Sequence, residues 1–508
     1  MPVIKVYRQN SLILEAEGQI GETVLAFLSS KDIFLDAPCG GRGRCGKCKV
    51  RLTPDGEEVR ACQTIIEGDL TVYAPDVMEM KIAGQDAPVN AVKSAAGGNF
   101  GVAIDIGTTT VVAHLTNLET RERVATASGV NAQRPYGADV ISRIEYSAAH
   151  GHETLSRLIQ TQINGLIADD CAKSGVAPAD IHYISIAGNT IMQHLAAGFS
   201  PVGMGTVPFA PVSLFGEELA PWEGLPVAQD AKVYFSPCIS SYVGGDITSG
   251  MLACDLEHDD GPTVFIDIGT NGEIAMKNGD KYLCCATAAG PAFEGAEISR
   301  GMAAVPGAIS HVKWGDNGLE LTVLGDVAPD GLCGSGLLDA LALLLDTGAV
   351  DETGRLLDAD EIAHPIASHI GQADGKNAFY LSKERDVYFS AADIRKLQLA
   401  KAAISGGIHT LLITAGVTAE NAACFVLAGG FGSFLDRTSA ARIGLFPKEF
   451  LPVTKGMGNT AGEGAAIALV SADARVTLAR IREKCEYIEL SSSLVFNEQF
   501  VENMMFEE

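Results

Sequence analysis

Hydrophobic and polar positions alternate in two short segments near the start of the chain, residues 3–7 (VIKVY) and 11–15 (SLILE). This period of two predicts two strands, with residues 8–10 (RQN) as the turn of a hairpin. Residues 21–32 (GETVLAFLSSKD) have instead the apolar spacing of a helix. Strand, strand and helix in this order indicate a small α+β domain of the β-grasp type.

A second hydrophobic pattern occurs twice further along the chain. Residues 100–115 (FGVAIDIGTTTVVAHL) and 263–276 (TVFIDIGTNGEIAM) share the letters IDIGT, each time between two apolar strands. Each copy predicts a β-hairpin whose turn amides and hydroxyls could hold a phosphate group. A single copy would equally suit an ordinary hairpin, but an internal repeat indicates two related halves that hold one ligand between them.

Glycine-rich segments surround the second copy. Residues 426–435 (VLAGGFGSFL) predict a strand, a glycine-rich turn and a helix, and residues 456–469 (GMGNTAGEGAAIAL) end in an alanine-rich helix. Residues 331–336 (GLCGSG) precede an apolar helix, and they either line the cleft or only begin that helix. Residues 84–98 lack periodicity and are rich in alanine, glycine and proline, which predicts an interdomain linker.

Composition indicates a large protein of several domains. The 508 residues are 47% hydrophobic and 20% charged, which is typical of globular proteins and too long for one ordinary core. The net charge of -26 argues against a nucleic-acid partner, since that binding depends on clustered lysine and arginine. The N-terminus has no basic segment followed by an apolar stretch, and no uncharged apolar run reaches membrane-spanning length. We therefore expect a cytoplasmic protein without a membrane partner.

Four of the twelve cysteines lie close together in the sequence. Cys39, Cys45, Cys48 and Cys62 form the pattern C-x5-C-x2-C-x13-C, whereas the other cysteines are scattered. Disulfides are rare in a reducing compartment, so metal ligation explains such a group better. A structural zinc site usually shows two C-x2-C pairs, and buried free thiols would need no regular spacing. The pattern favours an iron–sulfur cluster held by the four thiolates.

The loop around these cysteines has the composition that a cluster requires. Glycines let the backbone approach closely and turn its amides toward the cluster sulfurs, and basic side chains can offset the negative charge. These residues are Gly40, Gly41, Gly43, Gly46, Arg42, Arg44 and Lys47. The segment resembles [2Fe-2S] ferredoxins of the plant and adrenodoxin types. Its short interval before the fourth ligand is closer to the cluster domains of multi-subunit reductases.

The two hairpins and the glycine-rich segments resemble the superfamily of acetate and sugar kinases, heat-shock chaperones and actin, in which two ribonuclease-H-like domains close over ATP and Mg²⁺. A Walker loop is absent, and GGFGS does not complete a G-x-G-x-x-G turn. The resemblance implies that residues 105–110 and 267–272 are phosphate loops, 426–433 the adenosine motif and 456–469 a connecting helix. The cofactor-binding residues would be Gly107, Thr108, Thr109, Thr110, Gly269, Thr270, Asn271, Gly272, Gly429, Gly430 and Gly432.

Three aspartates are the candidate catalytic residues. Asp105 and Asp267 belong to the two IDIGT segments, and Asp246 lies in residues 241–253 (SYVGGDITSGMLA), which resemble the sugar-kinase segment that carries a catalytic aspartate. Hydrolysis of a phosphoanhydride needs Mg²⁺ on the phosphate oxygens and a group that orients or deprotonates water. The resemblance implies that Asp105 and Asp267 hold hydrated Mg²⁺ and that Asp246 positions the water. Alternatively, Asp246 only caps the helix that follows it.

Two further features have both a structural and a chemical interpretation. His194 in residues 187–195 (AGNTIMQHL) could contact a cofactor or a partner, although a lone histidine near an apolar helix is usually a packing residue. Cys284 and Cys285 are adjacent in an apolar, strand-like run, which favours burial over redox chemistry. No additional metal site is predicted.

Over essentially its whole length the chain resembles the reductive activators of corrinoid-dependent enzymes. The resemblance includes the cysteine loop and residues 186–194, 241–250, 288–302 and 485–500. These activators return Co(II) corrinoid to Co(I), the state that accepts a methyl group, and they couple this reduction to ATP hydrolysis. The resemblance implies a corrinoid protein of a methyltransferase system and an upstream electron donor as partners, and it leaves a homodimer possible.

Two other functions remain open from the sequence. The chain could be an ATP-dependent electron donor to another low-potential enzyme, such as a radical dehydratase, or a redox scaffold in which ATP binding only gates docking. The dehydratase activators carry a [4Fe-4S] cluster between subunits, whereas the four clustered cysteines here lie in a separate domain. We predict a ferredoxin-like domain at residues 1–83, the linker at 84–98, and two ribonuclease-H-like halves at 99–260 and 261–508, the second with a C-terminal extension.

Overall fold

The computed structural model describes residues 1–8, 11–31, 33, 35, 41, 43, 48–54, 56–75, 99–258, 261–269, 271–432 and 435–507. The predicted linker at 84–98 lies outside these residues. None of the helices in the described ranges combines the length and the apolar character needed to cross a bilayer.

The N-terminal domain is built on one five-stranded sheet. Its elements are β1 (Val3–Arg8), β2 (Ser11–Glu17), α1 (Val24–Ser30), β3 (Lys49–Arg51), β4 (Glu58–Arg60) and β5 (Leu70–Tyr73). β1 and β2 form the predicted antiparallel hairpin, and β1 pairs in parallel with β5, which gives the order β2-β1-β5-β3-β4. The helix begins after Thr23, whose hydroxyl accepts a hydrogen bond from the Ala26 amide at 3.1 Å. The predicted β-grasp arrangement is confirmed.

The next part of the chain forms a six-stranded sheet with helices on its faces. Its elements are β6 (Phe100–Ile106), β7 (Thr110–Asn117), β8 (Arg123–Val130), α2 (Val140–His150), α3 (Glu153–Ser174), β9 (Ile181–Gly188), α4 (Thr190–Ala197), β10 (Glu218–Leu219), β11 (Lys232–Phe235) and α5 (Gly245–Ala253). The strand order is β10-β11-β9-β6-β7-β8. The central strand β6 is almost entirely buried, which explains why its sequence is apolar without alternation.

The remainder of the chain contains a second six-stranded sheet and two small three-stranded sheets. Its elements are β12 (Thr263–Ile268), β13 (Gly272–Asn278), β14 (Lys281–Thr287), β15 (Ala308–Gly315), β16 (Gly318–Val323), β17 (Gly331–Leu332), α6 (Gly334–Asp346), β18 (Ile370–Ala373), β19 (Lys376–Ser382), β20 (Val387–Ser390), α7 (Ala391–Ala415), β21 (Cys424–Ala428), α8 (Gly429–Gly432), α9 (Arg437–Arg442), β22 (Thr454–Gly456), α10 (Thr460–Val470), α11 (Ala472–Lys484), β23 (Cys485–Tyr487) and α12 (Leu494–Glu502).

The two large sheets repeat one topology, as the duplicated hairpins predict. In each, three antiparallel strands are followed by a strand that pairs in parallel with the first of them, and by a further strand that pairs in parallel with that one. In the first sheet β9 pairs with β6 and β11 with β9; in the second β21 pairs with β12 and β22 with β21. Both IDIGT segments therefore end the first strand of a sheet. The predicted pair of ribonuclease-H-like halves is confirmed as a fold.

Two helices cross between the halves. α5 follows the first sheet but packs with Ile247 and Met251 on the second sheet, against Phe265 of β12. α10 follows the second sheet but packs on β6 and β9 of the first through Ala461 and Ala465. The small alanine side chains allow this close approach. α5 and α10 also pack on each other, so the two halves are joined through this pair of helices.

Candidate functional site

The three predicted aspartates converge between the two halves. Asp105 and Asp267 are each the penultimate residue of a first strand, and Asp246 lies in the first turn of α5. The charge of Asp267 raises the pKa of both Asp105 and Asp246, and Asp105 also raises the pKa of Asp246. The fold thus brings Asp105 and Asp267, 162 positions apart in the sequence, into electrostatic contact.

All three carboxyl groups are held in a poorly solvated place. Burial first, and then Asp267, raises the pKa of Asp105 to about 7, although a hydrogen bond with Asn459 opposes this rise. Burial, followed by Asp267 and Asp105, raises the pKa of Asp246 to about 8, and burial raises that of Asp267 to about 6. A cation between them would favour their ionised forms, since opposite charge lowers a carboxyl pKa.

A fourth carboxylate, Glu273, belongs to the same group and was missed at the sequence level. It faces Asp267 across the β12–β13 hairpin as its direct partner in the register. Burial, with the charges of Asp246 and Asp267, raises the pKa of Glu273 well above its ordinary value. The available signal was a lone carboxylate at the head of the otherwise apolar strand GEIAM, immediately after the second loop.

The carboxylates fit a hydrated cation better than a directly chelated one. Among the described residues, no three acidic, histidine or cysteine side chains are close enough together to bind one metal ion directly. Yet the charges of Asp267 and Asp105 contribute to the raised pKa of Asp246, and those of Asp246 and Asp267 contribute to the raised pKa of Glu273. Mg²⁺ keeps several of its water ligands in such sites, so this donor set is compatible with Mg²⁺ bound largely through water.

The first predicted phosphate loop is held by surrounding side chains. Asn189 donates from Nδ2 to the Thr108 hydroxyl at 3.1 Å, and it also caps α4. A Cβ at Gly107 would lie 2.8 Å from the carbonyl oxygen of Thr110, so this turn requires glycine. Thr109 and Thr110 complete the loop and are half-buried.

The second predicted loop is similarly constrained. The Gly269 amide donates to the Asn271 carbonyl at 2.9 Å, and the Thr287 hydroxyl donates to the Gly272 carbonyl at 3.0 Å. A Cβ at Gly272 would lie 2.7 Å from that hydroxyl oxygen. Thr270 lies outside the described residues.

The predicted adenosine motif approaches the second loop directly. Gly429 has φ +82°, and a Cβ there would overlap the carboxylate of Asp267. Its amide donates to the Gly458 carbonyl at 3.2 Å. Gly430 is exposed, and Gly432 ends the short helix α8. Gly429, the first glycine of the segment predicted at residues 426–435, therefore lies against one of the candidate catalytic carboxylates, whereas residues 433 and 434 lie outside the described residues.

The alternative that Asp246 only caps α5 is wrong. The N-cap of α5 is Gly244, and no side chain caps the helix. A Cβ at Gly244 would lie 2.5 Å from the Asn189 Cα, and one at Gly245 would lie 2.8 Å from the Ser236 carbonyl oxygen. The two glycines therefore let the start of α5 approach α4 and β11, and this brings Asp246 into the carboxylate group.

The other sequence features have structural roles. His194 is buried; its Nδ1 donates to the Thr190 carbonyl at 2.7 Å, and its Nε2 accepts from the Val212 amide at 3.1 Å. Cys284 and Cys285 are buried in β14, as the apolar run predicts. Residues 331–336 are buried, and the last three of them begin α6 after the short strand β17, which favours the second of the two interpretations given for them.

The described part of the cysteine loop has the conformation that its glycines predict. Cys48 is buried immediately before β3, and Cys62 is half-buried just after β4. Gly41 and Gly43 have φ +79° and +74°, and a Cβ at Gly41 would lie 3.8 Å from the Cys62 Cβ. Gly41 therefore lies close to Cys62. Cys39 and Cys45 lie outside the described residues, as do Gly40, Gly46, Arg42, Arg44 and Lys47.

Three protein-family profiles match consecutive parts of the chain. Residues 9–67 match a 2Fe-2S iron-sulfur cluster binding domain, residues 100–259 the RACo middle region, and residues 261–508 the C-terminal domain of RACo, the ASKHA domain. The two last profiles cover the two large sheets described above. The iron–sulfur profile covers the cysteine loop with β2, α1, β3 and β4 of the N-terminal domain.

One similar protein and one solved structure extend over nearly the whole chain, and a second similar protein extends over about two thirds of it. The corrinoid activation enzyme RamQ of Eubacterium limosum is 30% identical over 97% of this chain and 98% of its own length. The [Co(II) methylated amine-specific corrinoid protein] reductase of Methanosarcina barkeri is 24% identical over 68% of this chain and 66% of its own length. A solved structure titled reductive activator for corrinoid, iron-sulfur protein is 30% identical, with a TM-score of 0.70 and coverage of 99% and 98%.

Proposed function

Because this chain belongs to the family of reductive activators of corrinoid proteins, we propose that it uses ATP hydrolysis to reduce an inactive Co(II) corrinoid protein to Co(I). The single observation that carries this proposal is the 30% identity to a corrinoid activation enzyme over 97% of the chain. The identity extends over both the cluster domain and the two ATPase halves. A relative that shared only the ATPase halves would leave the reductive step unsupported.

The carboxylate group supports the ATPase part of the proposal. Asp246 is the candidate for positioning the attacking water, because it lies at the start of a helix and beside both phosphate loops. Asp105 and Asp267 are the candidates for holding hydrated Mg²⁺, which would neutralise charge on the β- and γ-phosphate oxygens. The phosphate loops and Gly429 would hold the nucleotide between the halves.

The thermodynamics of the electron transfer explain why ATP is required. A plant-type cluster in the N-terminal domain would supply one electron at a potential of about -400 mV. Co(I) corrinoids lie lower still, and each ~100 mV of deficit costs ~2.3 kcal/mol for one electron. We propose that closure of the two halves on ATP, transmitted through α5 and α10, favours a complex in which the Co(I) state is stabilised. An upstream donor would recharge the cluster, and a homodimer is compatible with the proposal.

Anaerobic reconstitution tests the proposal. Reduced protein, Mg-ATP and a candidate corrinoid protein are mixed without oxygen, and the absorption of Co(II) is followed as it converts to that of Co(I). We expect conversion with ATP and little or none with ADP. Phosphate release that is insensitive to every corrinoid protein tested would favour a different low-potential acceptor, and purified protein without iron would contradict the redox role.

A further inference from the structure

Arg143 is a completely buried arginine whose hydrogen-bond partners are all neutral. It lies in α2, and its Nε donates to the Gly137 carbonyl at 3.0 Å. Its Nη1 donates to the Gln133 side-chain oxygen at 3.1 Å, and its Nη2 donates to the Thr108 carbonyl. Among the described residues, it has no ion pair with a carboxylate. A buried cation without an anionic partner is costly, so a reason for its retention is needed.

Asp139, the carboxylate that interacts with Arg143, is not a dedicated counter-ion for it. Burial first, and then the charge of Arg134, lowers the pKa of Arg143 to about 9, and the opposing effect of Asp139 is smaller than either. The Asp139 carboxylate is the N-cap of α2 and is bonded to the Ser142 amide at 2.7 Å. The guanidinium therefore has no dedicated protein counter-ion in the described chain, while its Nη2 contacts the first phosphate loop.

Three consecutive carbonyl groups of this loop accept hydrogen bonds from Arg143 or from Asn131. The Gly107 carbonyl accepts from Asn131 Nδ2 at 2.8 Å, the Thr108 carbonyl from Arg143, and the Thr109 carbonyl from the Asn131 amide at 2.8 Å. In a trans peptide the C=O and the following N–H point in opposite directions. The amides of residues 108–110 are thereby turned away from Arg143 and Asn131.

We propose that Arg143 and Asn131 are positioning residues that turn the amides of the first phosphate loop toward a polyphosphate, and that this polyphosphate is the missing counter-charge of Arg143. The inference rests on the proposed function, because it identifies the polyphosphate as that of ATP. A guanidinium that donates to the Thr108 carbonyl also polarises the adjoining Thr109 N–H and makes it a stronger donor. Consecutive amides of this kind form an anion-binding nest.

Nucleotide binding by the full-length protein tests the proposal through the phosphate dependence of affinity. We expect Arg143→Gln to weaken ATP and ADP binding at least about tenfold, because a charge-assisted contact to the loop is lost. Adenosine, which lacks phosphate, should bind both proteins equally. Arg143→Lys should recover part of the ATP affinity, since it restores the charge without the fork geometry.

Arg475→Gln is the matched control. Arg475 also donates to a backbone carbonyl, that of Ala468 at 3.0 Å, but it stacks on Tyr183 of β9. The Arg475→Gln substitution should leave ATP affinity unchanged. An Arg143→Gln protein that loses adenosine and ATP affinity equally would show a merely structural role and overturn the proposal, as would unchanged ATP affinity.

Hydrogen exchange on the unsubstituted protein keeps the proposal testable if Arg143→Gln fails to fold. The amides of Thr108, Thr109 and Thr110 should become protected when ATP is added and stay unprotected with adenosine. Protection that ATP does not increase would overturn the inference. Wild-type protein that binds no ATP would overturn both this inference and the proposed ATPase, whereas normal ATP binding by folded Arg143→Gln would overturn this inference alone.

Discussion

Gly464 of α10 lies directly against the backbone carbonyl of Ser249 in α5, and a Cβ at position 464 would overlap that oxygen. On the other side of the crossing, a Cβ at Gly250 would lie 3.0 Å from the Thr460 hydroxyl oxygen. The two helices thus meet backbone to backbone at the point where each leaves its own half. This contact joins the two helices that cross between the halves.

Gly464→Ala should therefore weaken both stability and ATP hydrolysis. An added methyl group at a contact between backbones forces the helices apart, at a cost of about 1–3 kcal/mol. We expect a lower midpoint of thermal unfolding and a lower kcat for phosphate release. The matched control is Gly165→Ala within α3, where nothing lies within 4 Å of the added Cβ. There the substitution should raise stability by up to about 1 kcal/mol, and a Gly464→Ala protein as stable as the wild type would contradict the expected clash.

Asp246→Asn should abolish most ATP hydrolysis while ATP still binds. Removing a group that orients or deprotonates water typically costs about 10²–10⁴ in rate. The substitution also removes one of several mutually repelling carboxylates, so the protein should not be destabilised. Steady-state phosphate release and equilibrium ATP binding check the two parts separately. Retained kcat with a raised KM would assign Asp246 to binding instead.

Glu273→Gln distinguishes two roles for Glu273, the carboxylate that the sequence did not indicate: adding negative charge near Asp267, or taking a direct part in ATP hydrolysis. If Glu273 only adds negative charge near Asp267, its neutralisation should change the Mg²⁺ concentration that gives half-maximal activity by less than tenfold and leave kcat within a few-fold. A loss of kcat as large as that of Asp246→Asn would give Glu273 a direct part in hydrolysis. Titration of activity with Mg²⁺ is the measurement.

The fold was predictable because its signals are local and repeated. Each IDIGT segment contains a complete hairpin of two strands and a turn within sixteen residues or fewer. In the structure these hairpins are β6–β7 and β12–β13. The N-terminal hairpin and helix likewise follow from short-range periodicity. Strand order across each sheet was available only through the resemblance, since pairing of β21 with β12 joins distant residues.

The supporting shell of the site could not be predicted, because its residues are far apart in sequence and ordinary in type. Asn459 caps α10 and hydrogen-bonds with Asp105, and neither contact is visible in the segment GMGNTAGEG. Arg143 lies in an amphipathic helix where an arginine is expected on the exposed face. Only the packing of α2 against the loop after β8 shows that its guanidinium is buried.

Stability of the nucleotide-free protein should fall as pH rises, and Mg²⁺ should flatten this fall. Asp105 and Asp246 have pKa values of about 7 and about 8 in the folded protein, above the ordinary 3.8. Between about pH 4 and pH 8 the folded state therefore binds more protons than the unfolded state, so deprotonation favours unfolding. Thermal unfolding midpoints from pH 5.5 to 8.5, with and without Mg²⁺, check this. An unchanged slope in Asp246→Asn would exclude the carboxylate group as the cause.

Cys62→Ser should remove the iron–sulfur absorption and the reduction of Co(II), but not ATP hydrolysis measured without a partner. The reason is that Cys62 lies in the N-terminal sheet domain, whereas the phosphate loops lie in the two later halves. Cys171→Ser is the control, because Cys171 lies in α3 of the first half and is not one of the four grouped cysteines. Loss of basal ATP hydrolysis in folded Cys62→Ser protein would show that the cluster domain takes part in the nucleotide site.

Asp170→Asn should stabilise the protein above neutral pH. Asp170 is 0% exposed in α3, and neither carboxylate oxygen has a hydrogen-bond partner of good geometry among the described residues. Burial raises its pKa to about 7, against a smaller opposing effect of Lys173. Stability is therefore greatest when the group is protonated, below its unfolded pKa near 4, and is lost as pH rises through about 7. Asparagine cannot ionise, so at pH 8 we expect a gain on the order of 1–3 kcal/mol, and little difference at pH 4.

The exposed neighbour Asp169 provides the control for that measurement, because Asp169→Asn makes the same chemical change where solvent already surrounds the carboxylate. The free energy of unfolding of Asp169→Asn should equal that of the wild type at every pH. The decisive quantity is the difference in unfolding free energy between Asp170→Asn and wild type, measured at pH 5 and at pH 8. Because an ionised carboxylate is costly only when it is desolvated, a difference that does not grow with pH would mean that the Asp170 carboxylate reaches water in the folded protein.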